Sequence, residues 1–399
     1  MAVVRLDSFR TIDACREPST LNKKRNHGCF AMRNIATKCF LAACYMLLVS
    51  CSRPPELIGV ENPEIPVASV AGASTHKIFL ASTRQATETV GALYSAARAP
   101  ELGLASVLVS IPPSHVAGEL KRPARLPPDP RTEYAIIEPT IYSSADSFVM
   151  AMNSELATRA PGKRDILFFV HGYNNTTSDA LLRLGQFVED SGFEGVAVLF
   201  DWASAAQITR YVYDLNSAMI ARREVKTIGQ ILARTNAEGY DVFAHSMGGF
   251  LIMEAIRDQS ARGTFNSSGR LQNVILASPD IDIDLFRVQL EESNVDLENF
   301  FVLLSADDSA LRTSRRIAGG VPRVGAADAE TLAALGVIAI DLTAIDDSTS
   351  GSHSKFAGSP EVVQLLGRGL NEAKTFSRHA RSTQLDELLA GVPVYVAFE

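Results

Sequence analysis

Residues 240–256 have the sequence YDVFAHSMGGFLIMEAI, and this stretch decides the fold. Its first residues are apolar, as in a strand buried on both faces, and the run after Gly249 is typical of an apolar helix. Ser246 lies at the predicted turn between them, with the small residues Ala244 and Gly248 two positions away on either side. A serine on a strained strand-to-helix turn needs such small neighbours. The stretch therefore predicts a reactive serine, the alternative being a serine that only caps the helix.

Further apolar runs precede and follow this stretch. They lie at 77–82, 106–111, 136–141, 166–170, 196–200, 273–277, 301–304 and 337–342. From residue 165 onward, successive runs are separated by room for a helix. This alternation predicts an α/β fold with a mostly parallel central sheet and helices on both faces. Because ligands of such sheets bind at the carboxyl ends of the strands, we expect the chemistry just after each run.

A serine hydroxyl is a weak nucleophile that needs a general base, usually a histidine oriented by a carboxylate. For this kind of turn the expected chain order is serine, acid, histidine, which leaves His353 and His379 as candidates. His353 follows the last predicted strand in a loop rich in Gly and Ser, whereas His379 lies in a basic, polar stretch. His353 is therefore the preferred base. His245, beside the serine, is expected to face away from it.

The acid candidates follow two of the predicted strands. Asp308 is preferred because it follows the strand next to that of the histidine, the usual position in such sheets. Asp307 is the second choice and Asp280 the third. Each could instead be an ordinary cap or turn residue, as most loop aspartates are.

The third requirement is a pair of backbone N–H donors for the oxyanion that forms when the serine attacks a carbonyl. One donor is expected at Met247, directly after the serine. The other is expected at Tyr173, because His171 and Gly172 follow the buried run 166–170 as such a loop requires. The alternative is a plain glycine turn, and His171 is expected to brace the loop.

At these residues the chain resembles a family of bacterial α/β-hydrolases that carries a domain-of-unknown-function label and is placed in the esterase/lipase superfamily. The resemblance runs from about residue 77 to 366 and includes KIFLASTR, FFVHGYNN, LFDWAS, AHSMGG, ASPDID, SADDSAL and GSHSKF. It implies a nucleophilic Ser246, a basic His353 and an orienting Asp308. The chain has Asp201-Trp202-Ala203 where the family usually has Ser-Trp-Pro, which is expected to alter the pocket rim.

Charge divides the chain unevenly. The formal net charge is -7. Residues 1–51 hold eight basic and three acidic residues, a charge of +5, so the remainder carries -12. A net negative charge of this size repels the phosphate backbone of nucleic acids, so nucleic acid is not expected as a partner.

All five cysteines precede residue 52, so the remaining chain has no disulfide and no thiolate metal site. The basic Arg33 and Lys38 flank an apolar run at 39–49, which is too short to span a bilayer stably and has the length of a signal-peptide core. With the Leu-Val-Ser-Cys box at 48–51 it resembles a bacterial lipoprotein signal, in which Cys51 is lipidated. The alternative is a buried hydrophobic helix. Met32 is a more typical start for such a signal than Met1.

The sequence thus predicts a signal segment at 1–51, of which 1–31 could result from start-site choice, a flexible tether at 52–75, an α/β-hydrolase domain at 76–380 and a tail at 381–399. The expected activity is a serine hydrolase for small-molecule carboxylic esters, with no metal or cofactor. A lipid anchor at Cys51 places it in the cell envelope, with the outer membrane favoured because Ser52 rather than Asp follows the cysteine. The alternatives are an acyltransferase or thioesterase using the same residues, or a non-catalytic envelope scaffold. The oligomeric state stays open.

Overall fold

The structure is a computed structural model in which residues 53–347, 351–371 and 394–395 are described. The chain divides into two units, Met1–Arg53 and Pro54–Glu399, and every element named below belongs to the second. Several predicted features lie outside the described residues: Cys51 and the signal segment before it, His379, and all of the tail 381–399 except 394–395.

The strands within the described ranges are β1 Ser74–Ala86, β2 Tyr94–Ile111, β3 Ala135–Tyr142, β4 Ile166–Val170, β5 Val196–Asp201, β6 Tyr240–His245, β7 Leu271–Ala277, β8 Phe300–Leu304, β9 Ile338–Asp341 and β10 Val394–Tyr395. They form one sheet in the order β10-β9-β8-β7-β6-β4-β5-β1-β2-β3. Strands β4 to β9 are parallel to one another, and β1 is parallel to β5. At the other edge, β10 pairs with β9 in antiparallel fashion. Strands β2 and β3 extend the sheet in antiparallel fashion. The predicted mostly parallel α/β sheet is confirmed.

The α-helices of the described residues are α1 Ala145–Ala157, α2 Thr177–Ser191, α3 Tyr211–Leu232, α4 Met247–Ala261, α5 Ile283–Glu291, α6 Ser309–Ile317, α7 Ala329–Ala333, α8 Lys355–Gly358 and α9 Pro360–Asn371. Several begin at a capping side chain. Thr176 and Asp179 form a reciprocal capping box at the start of α2, which satisfies two of its unpaired N–H groups. No helix in the described ranges is long and apolar enough to cross a membrane.

Two apolar cores lie on opposite faces of the sheet, as the alternation of buried side chains in β4 requires. Phe168 points to the core that includes Phe148 of α1 and Leu251 of α4. Phe169 points to the other core, with Leu184 of α2 and others from α8 and α9. Burial on both faces explains why β4 is apolar at every position. The predicted helices on both faces are confirmed.

Within the predicted tether at 52–75, a short stretch packs against the sheet. Leu57 is fully buried and Ile58 is 6% exposed, and both belong to the core beside α2. The Ile58 amide donates to the carbonyl of Gly91 at 2.8 Å, and the Gly59 amide to that of Ile136. Apolar burial and backbone hydrogen bonds therefore hold this segment against the sheet, and β1 begins at Ser74, within the predicted tether.

The order of the central strands creates the crevice in which ligands of such sheets bind. From β4 the chain crosses to β5 on one side and then returns to β6 on the other side of β4. The helices that follow β4 and β6 therefore lie on opposite faces of the sheet, and a crevice forms at the carboxyl ends of these adjacent strands. Ser246 follows β6 and His171 follows β4 at this point.

Strand β6 contains a carboxyl group that is costly to ionise. Asp241 is fully buried, and burial raises its pKa to about 7, although Asn273 donates to its Oδ1 at 2.6 Å. Because folding raises the pKa of this carboxyl, the folded state holds the proton more tightly than the unfolded state does. The resulting contribution to the free energy of unfolding is complete only below the pKa of the unfolded state, and it is lost as the pH rises through 7.

We therefore expect Asp241→Asn to stabilise the protein more at pH 8 than at pH 5, by on the order of 2 kcal/mol. Chemical unfolding at the two pH values measures this difference. Asp258→Asn is the control, because Asp258 is only half-buried and is paired with Arg262, and it should show no comparable dependence. An effect of Asp241→Asn that is equal at both pH values would contradict the assignment.

Candidate active site

Ser246 occupies a strained turn between β6 and α4. Its φ of 55° and ψ of -123° lie in a region that residues with a side chain rarely adopt. Hydrogen bonds fix the strained backbone on both sides: the Ser246 amide donates to the carbonyl of Ala277 at 2.9 Å, and the Asp280 amide donates to the Ser246 carbonyl at 3.1 Å. The predicted strand-turn-helix context is confirmed, and the serine itself is only 3% exposed.

The small residues around Ser246 are required by close backbone contacts. A Cβ added to Gly248 would lie 2.6 Å from the carbonyl oxygen of His171 and 2.7 Å from that of Val170. A Cβ added to Gly172 would lie 2.8 Å from the Cβ of Ser246. The loop after β4 and the turn after β6 are therefore pressed together, and the predicted need for a small residue at Gly248 is confirmed.

Ser246, His353 and Asp308 form one chain of hydrogen bonds. Nε2 of His353 lies 3.0 Å from the Ser246 hydroxyl oxygen, and Nδ1 lies 2.7 Å from Oδ2 of Asp308. A carboxylate can only accept, so Nδ1 carries the proton and Nε2 is left to accept from the hydroxyl. The structure thus brings together the three residues that the sequence analysis selected, in the geometry that a general base requires.

Asp308 is held rigidly in its position. Its side chain is fully buried and lies at the start of α6, where Oδ1 accepts the Leu311 amide at 2.9 Å. The other oxygen, Oδ2, faces His353. One carboxylate therefore caps a helix and orients the imidazole at once.

The two other acid candidates are engaged elsewhere. Asp307 accepts hydrogen bonds from Ser305, Ser352 and Lys355, and these outweigh the effect of burial and lower its pKa to about 2. Asp280 accepts from the hydroxyls of Tyr211 and Ser314 at 2.9 and 2.6 Å. Neither contacts His353 in the described structure.

Lys355 holds the loop that carries His353, a role that sequence reasoning missed. Its side chain is almost fully buried, and its ammonium donates to both oxygens of Asp307 and to the carbonyls of Leu342 and Thr343. These contacts tie the loop to the end of β9 and to the loop before α6. The only signal in the sequence is a lysine two residues after the histidine, directly before an apolar run.

His245 also supports this loop. As predicted, its side chain faces away from the serine hydroxyl. Its Nε2 donates to the backbone carbonyl of His353, 3.0 Å away. Burial and the neighbouring His353 lower the pKa of His245 well below its usual value, so the ring is neutral. A neutral ring with its proton on Nε2 is the form that this hydrogen bond needs.

The two predicted oxyanion donors lie in different segments: Met247 directly follows Ser246, and Tyr173 follows Gly172 in the loop after β4, which packs against Ser246. Within the described residues, neither the Met247 amide nor the Tyr173 amide donates to a protein acceptor. The side chain of Asn175 holds the loop in shape by donating to the carbonyls of Gly172 and Tyr173 at 3.1 and 2.9 Å. Two unpaired N–H groups next to a serine can bind an oxyanion.

A buried ion pair supports this loop from below. Asp201 is fully buried, and the Arg84 guanidinium lies 2.7 Å away. Burial alone would raise the pKa of Asp201, but Arg84 holds it at about 2. Trp202 stacks on His171 with ring centroids 5.1 Å apart and donates to its carbonyl at 2.7 Å. Asp201, which stands where the family usually has a serine, therefore lies beneath the loop, whereas an effect on the pocket rim was predicted.

The described residues contain no group of three or more His, Cys, Asp or Glu side chains arranged to hold a metal ion. The predicted site consists of the serine, the histidine, the carboxylate and backbone amides. These groups can transfer a proton and stabilise an oxyanion without further components.

The open, mostly parallel sheet with a serine elbow after its central strand defines an α/β-hydrolase fold. Residues 144–369 match the model of a family described as alpha/beta hydrolase of unknown function (DUF900). Because this match covers more than half of the chain, the chain belongs to that family. The resemblance seen in the sequence is confirmed to that extent.

Several solved structures are similar to the chain. One is a fungal esterase from Rhizomucor miehei (10% identity, 79% of this chain and 85% of that chain covered, TM-score 0.34). Another is esterase B from Lactobacillus rhamnosis (10% identity, 91% of this chain and 98% of that chain covered, TM-score 0.35). A third is a hyperthermophilic esterase from the archaeon Pyrobaculum calidifontis (14% identity, 57% of this chain and 93% of that chain covered, TM-score 0.30). No curated protein matches the chain. The family match alone carries the assignment.

The two neighbouring aspartates provide a direct test of the geometry. We expect Asp308→Asn to slow labelling of Ser246 by a fluorophosphonate about 10³-fold or more, because an asparagine amide facing Nδ1 favours the wrong imidazole tautomer. Asparagine also caps helices well, so the fold should persist.

Asp307→Asn is the matched control and should slow labelling less than tenfold, since residue 307 does not contact His353 and an asparagine oxygen can still accept from Lys355. Rates of covalent labelling, followed by mass spectrometry, measure both variants. If labelling is slowed more in Asp307→Asn than in Asp308→Asn, the orienting acid is Asp307 and the assignment is one residue off.

Proposed function

We propose that this protein hydrolyses carboxylic esters through a nucleophilic Ser246, a basic His353 and an orienting Asp308. The observation that carries the proposal is the continuous chain of hydrogen bonds, 3.0 and 2.7 Å long, that joins these side chains. It is supported by the position of the serine on a strained turn and by the two unpaired amides beside it. The family match supports the broader class, a hydrolase.

In the first half of the proposed reaction, the Ser246 oxygen attacks the ester carbonyl while Nε2 of His353 takes the hydroxyl proton. The positive charge on the imidazolium is stabilised by Asp308, to which Nδ1 already donates. The carbonyl oxygen becomes an oxyanion and is bound by the amides of Met247 and Tyr173, each worth about 3 kcal/mol in comparable sites. His353 then protonates the leaving alkoxide, and an acyl-serine remains.

In the second half, water takes the place of the alcohol. His353 removes a proton from the water as it attacks the acyl-serine, and the same two amides bind the second oxyanion. Collapse of this intermediate returns the proton to Ser246 and releases the carboxylic acid. An acyltransferase or thioesterase would differ only in the acceptor or the leaving group, so products of the reaction distinguish these activities.

The non-catalytic scaffold that the sequence left open is less consistent with this geometry. A protein under no need to catalyse has no reason to retain a serine at φ 55°, a buried carboxylate aimed at an imidazole, and two free amides in one place. We therefore favour the enzyme.

We expect Ser246→Ala to lower the hydrolysis of p-nitrophenyl esters about 10³-fold or more. The loss of one hydroxyl group from a turn should leave the melting temperature nearly unchanged. Ser154→Ala, in which an exposed helical serine is replaced, is the control and should retain full activity. Testing esters of graded acyl length on the same proteins identifies the preferred chain. Equal rates in wild type and Ser246→Ala would refute the mechanism.

We further propose that the protein is anchored in the cell envelope through a lipidated Cys51. Support comes from the sequence: a basic flank at Arg33 and Lys38, an apolar run at 39–49 and the box at 48–51. Two acyl chains on such a cysteine hold a protein at a membrane stably, since each buried CH₂ contributes about 0.8 kcal/mol. The outer membrane is favoured by Ser52.

Expression of the full chain in a bacterium that processes lipoproteins tests the anchor. We expect the wild type to incorporate a labelled fatty acid and to begin at Cys51, and Cys51→Ser to remain unlabelled and uncleaved. Cys44→Ser is the control, because it removes a cysteine from the same segment without changing the box. Wild-type protein without label, with residues 32–51 still attached, would exclude the anchor and leave the proposed chemistry intact.

A further inference from the structure

A second cavity lies at the end of the sheet opposite to Ser246. Its volume is about 320 Å³, which is within the range of small-molecule sites. It lies between the C-terminal halves of α3 and α4, over the starts of β6 and β7. At about 3.3 Å per residue, Tyr240 at its floor is about 20 Å from Ser246, so the two sites are separate.

The interior of the cavity is apolar and mostly aliphatic. Its walls and floor include Phe168, Val242, Ile252, Ile256, Leu271 and Val274. Most of these belong to the core between the sheet and the helices. Such a surface favours an alkyl chain over a polar ligand, because burying apolar area is the dominant favourable contribution to binding.

The rim of the cavity is polar and carries one positive charge. Lys226 is the only charged residue among those that line the cavity, and it forms no ion pair with a described residue. Gln230 lies one turn further along α3. On the opposite side, Oδ1 of Asn266 accepts the Leu271 amide at 3.1 Å, which leaves the Asn266 NH₂ group as a donor. This rim complements a single negative charge with hydrogen-bond acceptors.

Gly229 is a position at which the entrance of the cavity can be altered. It lies within α3 and lines the cavity, and a Cβ added there would have no atom within 4 Å. Glycine is disfavoured inside helices, and no close contact requires it here. Because Gly229 is exposed at the rim, a side chain introduced there can alter the entrance of the cavity without displacing the core.

We propose that this cavity binds an aliphatic monocarboxylate, such as a medium-chain fatty acid anion, with its chain against Ile252 and Ile256 and its carboxylate at Lys226. The shape and charge of the cavity carry this inference, which does not depend on ester hydrolysis at Ser246. The apolar interior requires the chain, and the lone ammonium with neighbouring amides requires one anionic head group.

Calorimetric titration of the full chain with dodecanoate and with dodecanol tests the head group. We expect Lys226→Gln to weaken dodecanoate binding about tenfold and to leave dodecanol binding unchanged. Lys121→Gln, a change at an exposed lysine outside the cavity, is the control and should bind both as the wild type does. Unchanged dodecanoate affinity in Lys226→Gln would overturn the proposal.

Two substitutions of Gly229 test the location of the site. Gly229→Trp should lower the affinity for both ligands at least about tenfold by filling the cavity, whereas Gly229→Ala should retain binding, since a methyl group fits the open space. Thermal melting of each variant verifies the fold. Dodecanoate binding that survives in a folded Gly229→Trp would place the ligand elsewhere, including at Ser246, and would overturn the proposal.

Discussion

The site depends on one constraint, the close approach of the backbone after β4 to the turn after β6. Gly248 lies under the carbonyls of Val170 and His171, and Gly172 lies against the Cβ of Ser246, at distances that exclude any side chain. Ser246 has a positive φ at this contact, which also packs the loop that carries Tyr173 against the turn that carries Met247. The strain costs about 1–3 kcal/mol, which the hydrogen bonds to Ala277 and Asp280 offset. The geometry of the serine is therefore a consequence of packing between two parallel strands.

Charge at the site is divided between two neighbouring carboxylates with different partners. Asp308 is buried and faces the Nδ1 of His353 without a cationic partner of its own in the described structure, so its charge can stabilise an imidazolium when one forms. Asp307 is neutralised by the Lys355 ammonium, and together they fix the loop that carries His353. Without Lys355, Asp307 would keep only the hydroxyls of Ser305 and Ser352 as partners, and the loop would lose its tie to the end of β9. The buried lysine thus supports the position of the base.

The sequence predicts most of the central sheet because strands buried on both faces are apolar at every position, as in 166–170. It also predicts the turn at Ser246, since small residues on both sides of a serine, between a buried strand and an apolar helix, are typical of such a turn. It does not predict how firmly residues 54–75 are held, because Leu57 and Ile58 are two apolar residues in a proline-rich stretch with no periodicity. Lys355 and the Asp201–Arg84 pair are missed for a different reason. Their roles depend on partners far away in the chain, and no local pattern marks a charged residue that will be buried.

Helix α4 connects the two ends of the molecule, since it begins at Ser246 and its later turns line the second cavity. Midway along it, Glu254 is almost fully buried and accepts from Gln289 at 2.8 Å and from Arg257 and Arg222 at 2.9 and 3.2 Å. Removing partners from a buried carboxylate is costly, so these contacts hold the helix in one position. The contacts with Arg222 and Gln289 tie the middle of α4 to α3 and α5, between the turn at Ser246 and the residues that line the cavity. We therefore expect a ligand against Ile256 to leave the turn at Ser246 in place.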